Sequence, residues 1–256
     1  MEGYVTLERF DDTMVVRFDR QGALNAFDQQ MITELTDTAK LLAEDLTLRS
    51  VVLTGASAAF SSGIDLKDAQ NWELEAMSDL EIRRRFYRGV RLCQAWEDLP
   101  QITIAAAEGM MVGAGCALGL ACDWRVLAGN AYLFVPEVQV GLNLQWGALP
   151  RLVALVGPAR AKEICLLGEK MSSDQALDWG LVSRLAEPGK SVEVALELAQ
   201  RCAANPPIAP AMVKEAVNAI AGALHKVGSY ADADQSQLSG TNQTAAAARR
   251  RFADKK

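Results

Sequence analysis

Two segments of the 256-residue chain put small residues where a backbone must come close to something: Phe60-Ser61-Ser62-Gly63-Ile64-Asp65-Leu66 and Gly109-Met110-Met111-Val112-Gly113-Ala114-Gly115. Each follows an apolar, strand-like run. Small side chains leave main-chain N–H groups unshielded. Two such loops that converge can form an oxyanion hole for a carbonyl that gains negative charge. The second loop also opens a helical segment, whose N-terminal end favours negative charge. The residues alone leave two other readings open. Gly-rich strand-to-helix turns also serve tight packing. Gly113, Gly115 and Gly119 form a loosened GxGxxxG of the kind that binds dinucleotides. That motif needs a ribose-binding acid at the end of the next parallel strand, and neither Asp123 nor Glu137 fits the place.

The elements that must hold these loops are legible in the hydrophobic pattern. Residues 4–9 and 13–18 alternate apolar and polar around Asp11-Asp12, as a β-hairpin does. Asp28 is placed to cap a helix carrying Met31, Ile32, Leu35, Leu41 and Leu42. The runs 49–54 and 102–107 read as buried parallel strands, and 78–98 reads as a helix that Pro100 stops. After a small-residue helix come the strand-like runs 124–128 and 131–135. A loop follows over 136–145. Helices are expected at 148–156, at 159–167 behind Pro158, and at 174–179 capped by Ser172 or Ser173. A further strand is expected at 182–186, with helices at 190–204, 207–225 and 229–252. Strands alternate with helices early and helices dominate late, which predicts an α/β core over 1–195 and a C-terminal helical region over 196–256.

Composition narrows the function. Half of the chain is hydrophobic and 23% is charged, as in an ordinary globular protein. Twenty-six basic against 32 acidic residues give a net charge of −6, which lacks the electrostatic footprint of a nucleic-acid binder. Five cysteines at irregular spacing, with no CxxC, read as reduced thiols of a cytoplasmic protein. The single histidine, His225, makes a histidine-based metal site unlikely and leaves a Ser-His-Asp triad only one donor. No signal peptide is visible at the start. The apolar stretch 102–122 is long enough to span a bilayer but carries Glu108 and four glycines, so no membrane segment is expected.

These segments together resemble the crotonase, or enoyl-CoA hydratase/isomerase, superfamily. FDRQGALNAFDQQMITEL resembles the family's entry segment, VVLTGASAAFSSGIDLKD its first glycine loop, and AAAEGMMVGAGCALGLACDWRVLA its second. AYLFVPEVQVGL and the run through ALDWGLVSRL follow in the family's order. The resemblance implies a ββα spiral fold with a C-terminal trimerisation region, trimers or hexamers as the assembly, and an acyl-CoA thioester as substrate. It implies no separate cofactor, since CoA belongs to the substrate, and no metal. Carried over residue by residue, the oxyanion-hole donors are the N–H groups of Ile64 and Ala114. The family usually has glycine at the second place, and alanine keeps the donor if its φ is negative. Ala23, Leu24, Ser62, Gly63, Asp65 and Leu66 would embrace the CoA adenine and pantetheine.

The acids decide the reaction. Hydratases of this family use two glutamates to hold and deprotonate water while a proton reaches the α-carbon. The second is present as Glu137, whose neighbours Val135, Pro136 and Val138 can lift its pKa. Without the resemblance it would read as a solvated loop carboxylate. The first is Ala117, which does no proton chemistry. One carboxylate beside an oxyanion hole suits a 1,3-proton shift, the Δ3-Δ2 enoyl-CoA isomerase reaction. Hydration is the alternative, followed by acyl-CoA binding without turnover and by nucleotide-dependent redox chemistry. Asn143, Gln145 and Trp146 replace the usual continuation, either lining the acyl pocket or packing the loop. Gln145 can hydrogen-bond a water or substrate oxygen but cannot act as a base. Asp65 reads as a loop cap, His225 as a helix-surface side chain, Arg249–Arg251 as a frayed solvated tail and the arginines at 83–88 as a solvated helix face.

Overall fold

The computed structural model describes residues 3–72, 74–240 and 243–253. The chain opens with a hairpin, β1 (Val5–Phe10) and β2 (Thr13–Phe18), and then α1 (Gln29–Ala43). Asp28 caps α1 as its side chain predicts, accepting the Met31 N–H at 2.8 Å. A unit of two strands and a helix then recurs three times. The first is β3 (Ser50–Thr54), β4 (Ala59–Ser61), α2 (Ala69–Trp72) and α3 (Asp79–Glu97). The second is β5 (Ile102–Ala107), β6 (Met110–Val112) and α4 (Ala114–Leu120). The third is β7 (Trp124–Ala128), β8 (Tyr132–Phe134) and α5 (Ala148–Leu167). After these come β9 (Lys170–Ser172), α6 (Ser173–Asp178), β10 (Arg184–Ala186) and α7 (Ser191–Ala203). The chain ends in α8 (Ile208–Ala221), α9 (His225–Ser229), α10 (Asp232–Gly240) and α11 (Gln243–Ala253).

The first strands of the units join one six-stranded sheet in the order β1-β2-β3-β5-β7-β10, and the second strands join another in the order β4-β6-β8-β9. β2, β3, β5, β7 and β10 run parallel within the large sheet. This is the ββα spiral that the resemblance implies. The second sheet is only partly legible in the local pattern: β8 falls within the expected strand 131–135, whereas β4 and β6 lie in segments that read as small-residue loops and no strand is expected at β9.

Alternation works strongly inside the large sheet. Val16, Val51, Leu53, Ala105 and Leu127 face the main core, whereas Val15, Val52, Ile104, Ala106 and Val126 face α7, which packs Ala195 and Ala199 against them. The division drawn at residue 195 falls inside this helix. α1 and α3 close the main core, and the fully buried Trp96 donates its indole N–H to Leu35 O at 3.2 Å. The expected helices at 148–156 and 159–167 meet at a kink in α5, where Gly157 has a φ of 77°. The expected long helices at 207–225 and 229–252 are instead four shorter ones, broken around Gly222 and Tyr230. Lys214 anchors α8 beneath the sheet, donating to Gln101 O and pairing with Asp123 Oδ2, each at 2.7 Å. Among the described residues, no helix is long and apolar enough to cross a membrane.

Candidate active site

The two glycine loops leave the second sheet side by side. β4 and β6 pair in parallel, so the backbones that follow them, at residues 62–65 and 113–114, emerge together. Phe27 N–H donates to Gly63 O at 2.8 Å and Asp65 N–H donates to Phe27 O at 2.9 Å, which turns the Ile64 N–H away from Phe27. Gly63 takes a φ of 92°, and a Cβ there would lie 3.1 Å from Val112 O and 3.7 Å from Ala114 N. The two loops therefore touch. Gly113, at φ 51°, absorbs the left-handed turn that leads into α4, and Ala114 is free of positive φ. Among the described residues, neither the Ile64 nor the Ala114 N–H meets an acceptor. Both residues line one cleft, with about 960 Å³ of empty space up to its open mouth. Gly115 and Gly119 are spent on packing: a Cβ would lie 2.9 Å from Ser61 Cβ and 2.9 Å from Met111 Sδ respectively. That accounts for the spacing that resembles a nucleotide fingerprint.

Glu137 begins a single 3₁₀ turn behind β8 and Pro136. Its carboxylate lies over Gly113, so close that a Cβ on that glycine would come within 2.6 Å of Oε1. Oε2 is buried and has no hydrogen-bond partner among the described residues. Burial pushes this carboxyl up to about 7, and only contact with its own backbone N–H opposes the shift. Ala117, one turn into α4, lines the same cleft where the resemblance places a second glutamate. Of the described residues lining the cleft, only Glu137 and Arg85 carry charge.

Ser62, Gly63, Ile64, Leu66, Ala114 and Glu137 thus converge on one cavity. Ala23, Leu24 and Asp65 do not line it. Ala23 and Leu24 sit beside the first loop in a short turn where Ala23, Leu24 and Asn25 hold φ values of 49°, 50° and 57°. Three successive side-chain-bearing residues in this region are strained. Asn25 holds them in place, its amide donating to Phe18 O at 3.0 Å and Phe60 O at 2.9 Å. Ser62 N–H ties the turn to the first loop through Leu24 O at 3.0 Å. Asp65 is indeed a structural acid. It pairs with Arg20 at 2.6 Å and accepts the Lys67 N–H, and these contacts outweigh burial and keep its carboxyl low.

Sequence reasoning missed the clamp on the loop 142–147. Trp146 (φ 62°) packs against Gly89 and stacks edge-on to Phe27, with ring centroids 5.6 Å apart. The buried Arg151 donates to Trp146 O at 3.1 Å and Gly147 O at 3.0 Å while forming a fork onto Glu97, both bonds at 2.8 Å. Asp232 of α10 accepts the Gly147 N–H at 2.7 Å. Gln145 donates to Asn143 Oδ1 and Asn143 donates to Gln235 Oε1, each at 2.8 Å. No local pattern marks Arg151 or Asp232, because their burial comes from packing between distant segments. His225 also departs from expectation: its ring is 14% exposed, with Nδ1 3.2 Å from Glu97 Oε1, so it is tucked in rather than on the helix surface. The expected frayed tail is α11, which packs over the Glu137–Val140 turn through Ala245 and sends Phe252 into the cleft.

Residues 9–256 match the family model described as enoyl-CoA hydratase/isomerase. A short-chain-enoyl-CoA hydratase of Clostridium acetobutylicum is 32% identical over 84% of this chain and 80% of its own. A mitochondrial enoyl-CoA hydratase of Pongo abelii is 33% identical over 80% of this chain and 68% of its own. Among solved structures, an enoyl-CoA hydratase/isomerase from Mycobacterium paratuberculosis superposes with a TM-score of 0.88 at 26% identity, covering 98% of this chain and 99% of that one. The names of these relatives speak for hydration and lend no weight to isomerisation over it. With the spiral, the paired loops and the buried glutamate in place, the chain belongs to the enoyl-CoA hydratase/isomerase, or crotonase, family.

Proposed function

We propose that the chain acts on acyl-CoA thioesters by proton transfer, with the thioester oxygen held by the Ile64 and Ala114 N–H groups and Glu137 as the sole proton carrier. In the forward sense, Glu137 takes a proton from C2 of a 3-enoyl thioester. The electron pair moves onto the thioester oxygen, where two main-chain donors stabilise it. Glu137 then returns the proton to C4, leaving a 2-enoyl thioester. The observation that carries this reading is one buried carboxylate, the only one among the described residues lining a cleft that also holds Ala117. A carboxyl near 7 is poised both to accept and to give a proton at neutral pH.

Hydration is the second reading. It is supported by the names of the relatives and by Gln145, whose amide lines the cleft and could hold a water. Incubating matched 3-enoyl- and 2-enoyl-CoA thioesters separately and identifying the products tests both. Interconversion of double-bond isomers supports the first reading, and 3-hydroxyacyl-CoA supports the second. Tight binding without product leaves only a binder. Ala117→Glu, which restores the second acid, is expected to raise hydration relative to isomerisation.

The assembly belongs to the same proposal. Ile208, Met212, Val217, Ile220, Leu224 and Val227 leave an apolar face exposed along α8 and into α9. Copies of this chain would bury it against one another, as trimers or pairs of trimers. Light scattering of the purified protein tests this, and a monomer at micromolar concentration would refute it. Four buried and one half-buried free thiols are consistent with a cytoplasmic setting.

A further inference from the structure

We propose, building on the acyl-CoA reading above, that Arg85 makes the cleft a site for acyl chains that carry a carboxylate. Arg85 belongs to the arginine cluster of α3, in which Arg84 is exposed and does not line the cleft, and Arg83 and Arg88 are already engaged. Arg83 forms a fork onto Asp234, and Arg88 binds the Gln29 side chain and Thr33 Oγ1. Arg85 is different. Its guanidinium donates to the Gln70 carbonyl, and no carboxylate among the described residues lies within 4 Å of it. The nearest acid along the helix, Glu81, feels the Arg85 charge but is held by the Ser78 capping box and forms no ion pair with it. Arginine has five N–H donors and stays charged. A half-buried guanidinium with most donors unspent thus lines a cleft of largely apolar groups such as Phe86 and Phe252, with no ion pair to it among the described residues. Burial first, and then repulsion by Arg85, hold the neighbouring Arg88 guanidinium below its ordinary value, against the attraction of Asp37.

The chemistry that fits is an oxyanion, which forms paired charge-assisted hydrogen bonds with a guanidinium. Two parts of a thioester substrate can supply one: a carboxylate on the acyl chain or a phosphate of CoA. Position favours the first. Arg85 shares its cavity with Glu137 and the two oxyanion donors, which act on the acyl end of the thioester; of the six residues assigned to CoA by resemblance, Ser62, Gly63 and Leu66 line that cavity and Ala23, Leu24 and Asp65 do not.

Calorimetry with unreactive saturated thioesters tests this without reference to the reaction catalysed. Glutaryl-CoA, pentanoyl-CoA and free CoA would be titrated into the wild-type chain, Arg85→Gln, Arg85→Lys and the exposed helix control Arg91→Gln. The expected result is wild-type binding of glutaryl-CoA at least tenfold tighter than pentanoyl-CoA. Arg85→Gln should bring that ratio to about one, Arg85→Lys should keep part of it, and Arg91→Gln should leave it unchanged. Equal wild-type affinities would overturn the proposal. So would an equal loss of all three ligands in Arg85→Gln, which would place the guanidinium on a CoA phosphate. If none of the three binds the wild-type chain, the acyl-CoA reading itself fails, and that outcome is distinct from parity between two bound thioesters.

Discussion

Glu137 in the cleft and Glu97 under the loop 142–147 are both withdrawn from bulk water, yet burial leaves them with opposite character. Glu137 faces Gly113 with one oxygen unpartnered, and its carboxyl rises to about 7. At Glu97 burial also pushes upward, but the Arg151 fork and the adjacent His225 outweigh it and hold the carboxyl below its ordinary value. Glu137 is the more deeply buried of the two, but the partners set the sign of the outcome. A buried carboxylate without a cation becomes a base at neutral pH, and one with a bidentate arginine becomes a strut. The fold places the two where those properties are useful: the base beside the oxyanion donors, and the strut beneath the loop that walls the same cleft.

The largest effect is expected from removing the base. Glu137→Gln should lower turnover of enoyl-CoA thioesters by about 10²–10⁴-fold with little change in thioester binding. In the wild-type chain, kcat/KM should rise as pH climbs through about 7 and level off above it, and the variant's residual rate should lose that inflection. A variant with full turnover would sink the assignment. Removing the strut should act on stability instead. Glu97→Gln leaves the Arg151 charge buried and unpaired, which costs about 3–5 kcal/mol, or on the order of 10 °C in melting temperature for a chain of this size.

The pH dependence of stability separates the two glutamates further. Glu97 is depressed in the folded state, so its stabilisation is present above the ordinary carboxylate value and lost as pH falls through its folded one. Glu137 is raised, so its contribution is present in acid and lost as pH rises toward about 7. At pH 8 Glu137→Gln should therefore melt higher than wild type, by up to about 3 kcal/mol, and at pH 5 the two should nearly coincide. Thermal melts of both variants from pH 5 to 8 check this. A fall in melting temperature for both glutamine variants at pH 8 would mean that Glu137 has a hidden partner.

Much of this contrast was legible before any coordinates, but unevenly. Small residues after apolar runs marked the two loops, but their meeting in one site, and Glu137 as anything other than a solvated loop carboxylate, came from the family resemblance; of the neighbours expected to lift Glu137, Val135 and Pro136 are buried and Val138 is exposed. Glu97 and Arg151 were invisible. Each sits in a helix where a charged residue reads as solvated, and their fork joins α3 to α5 across 54 residues. His225 and Asp232 were missed for the same reason, since each gains its burial by packing on an element far away in sequence. The hairpin strands were legible by alternation and β3, β5 and β7 as continuous, largely apolar runs of five or six residues, whereas β4, β6 and β9 are three-residue strands set in segments without such a run. The kink at Gly157 followed from Pro158, but the breaks among α8–α11 had no comparable signal.

Asp232 supplies an intermediate case, and with it the smallest and sharpest test. It is buried, accepts one backbone N–H from Gly147, and feels Arg151 without contacting it as Glu97 does. Burial raises its carboxyl, and these two influences only partly offset the rise. If partners decide the character of a buried acid, Asp232→Asn should be nearly neutral. The amide oxygen can still accept the Gly147 N–H, and the desolvation cost of a charge disappears as the weak attraction to Arg151 is lost. A change within about 1 kcal/mol is expected, since a neutral acceptor retains most of such a bond. The melting temperature at pH 8 should lie between those of Glu97→Gln and Glu137→Gln. A loss as large as that of Glu97→Gln would show Arg151 to depend on Asp232 as strongly as on Glu97, and the clamp on the loop 142–147 would then be one three-charge unit.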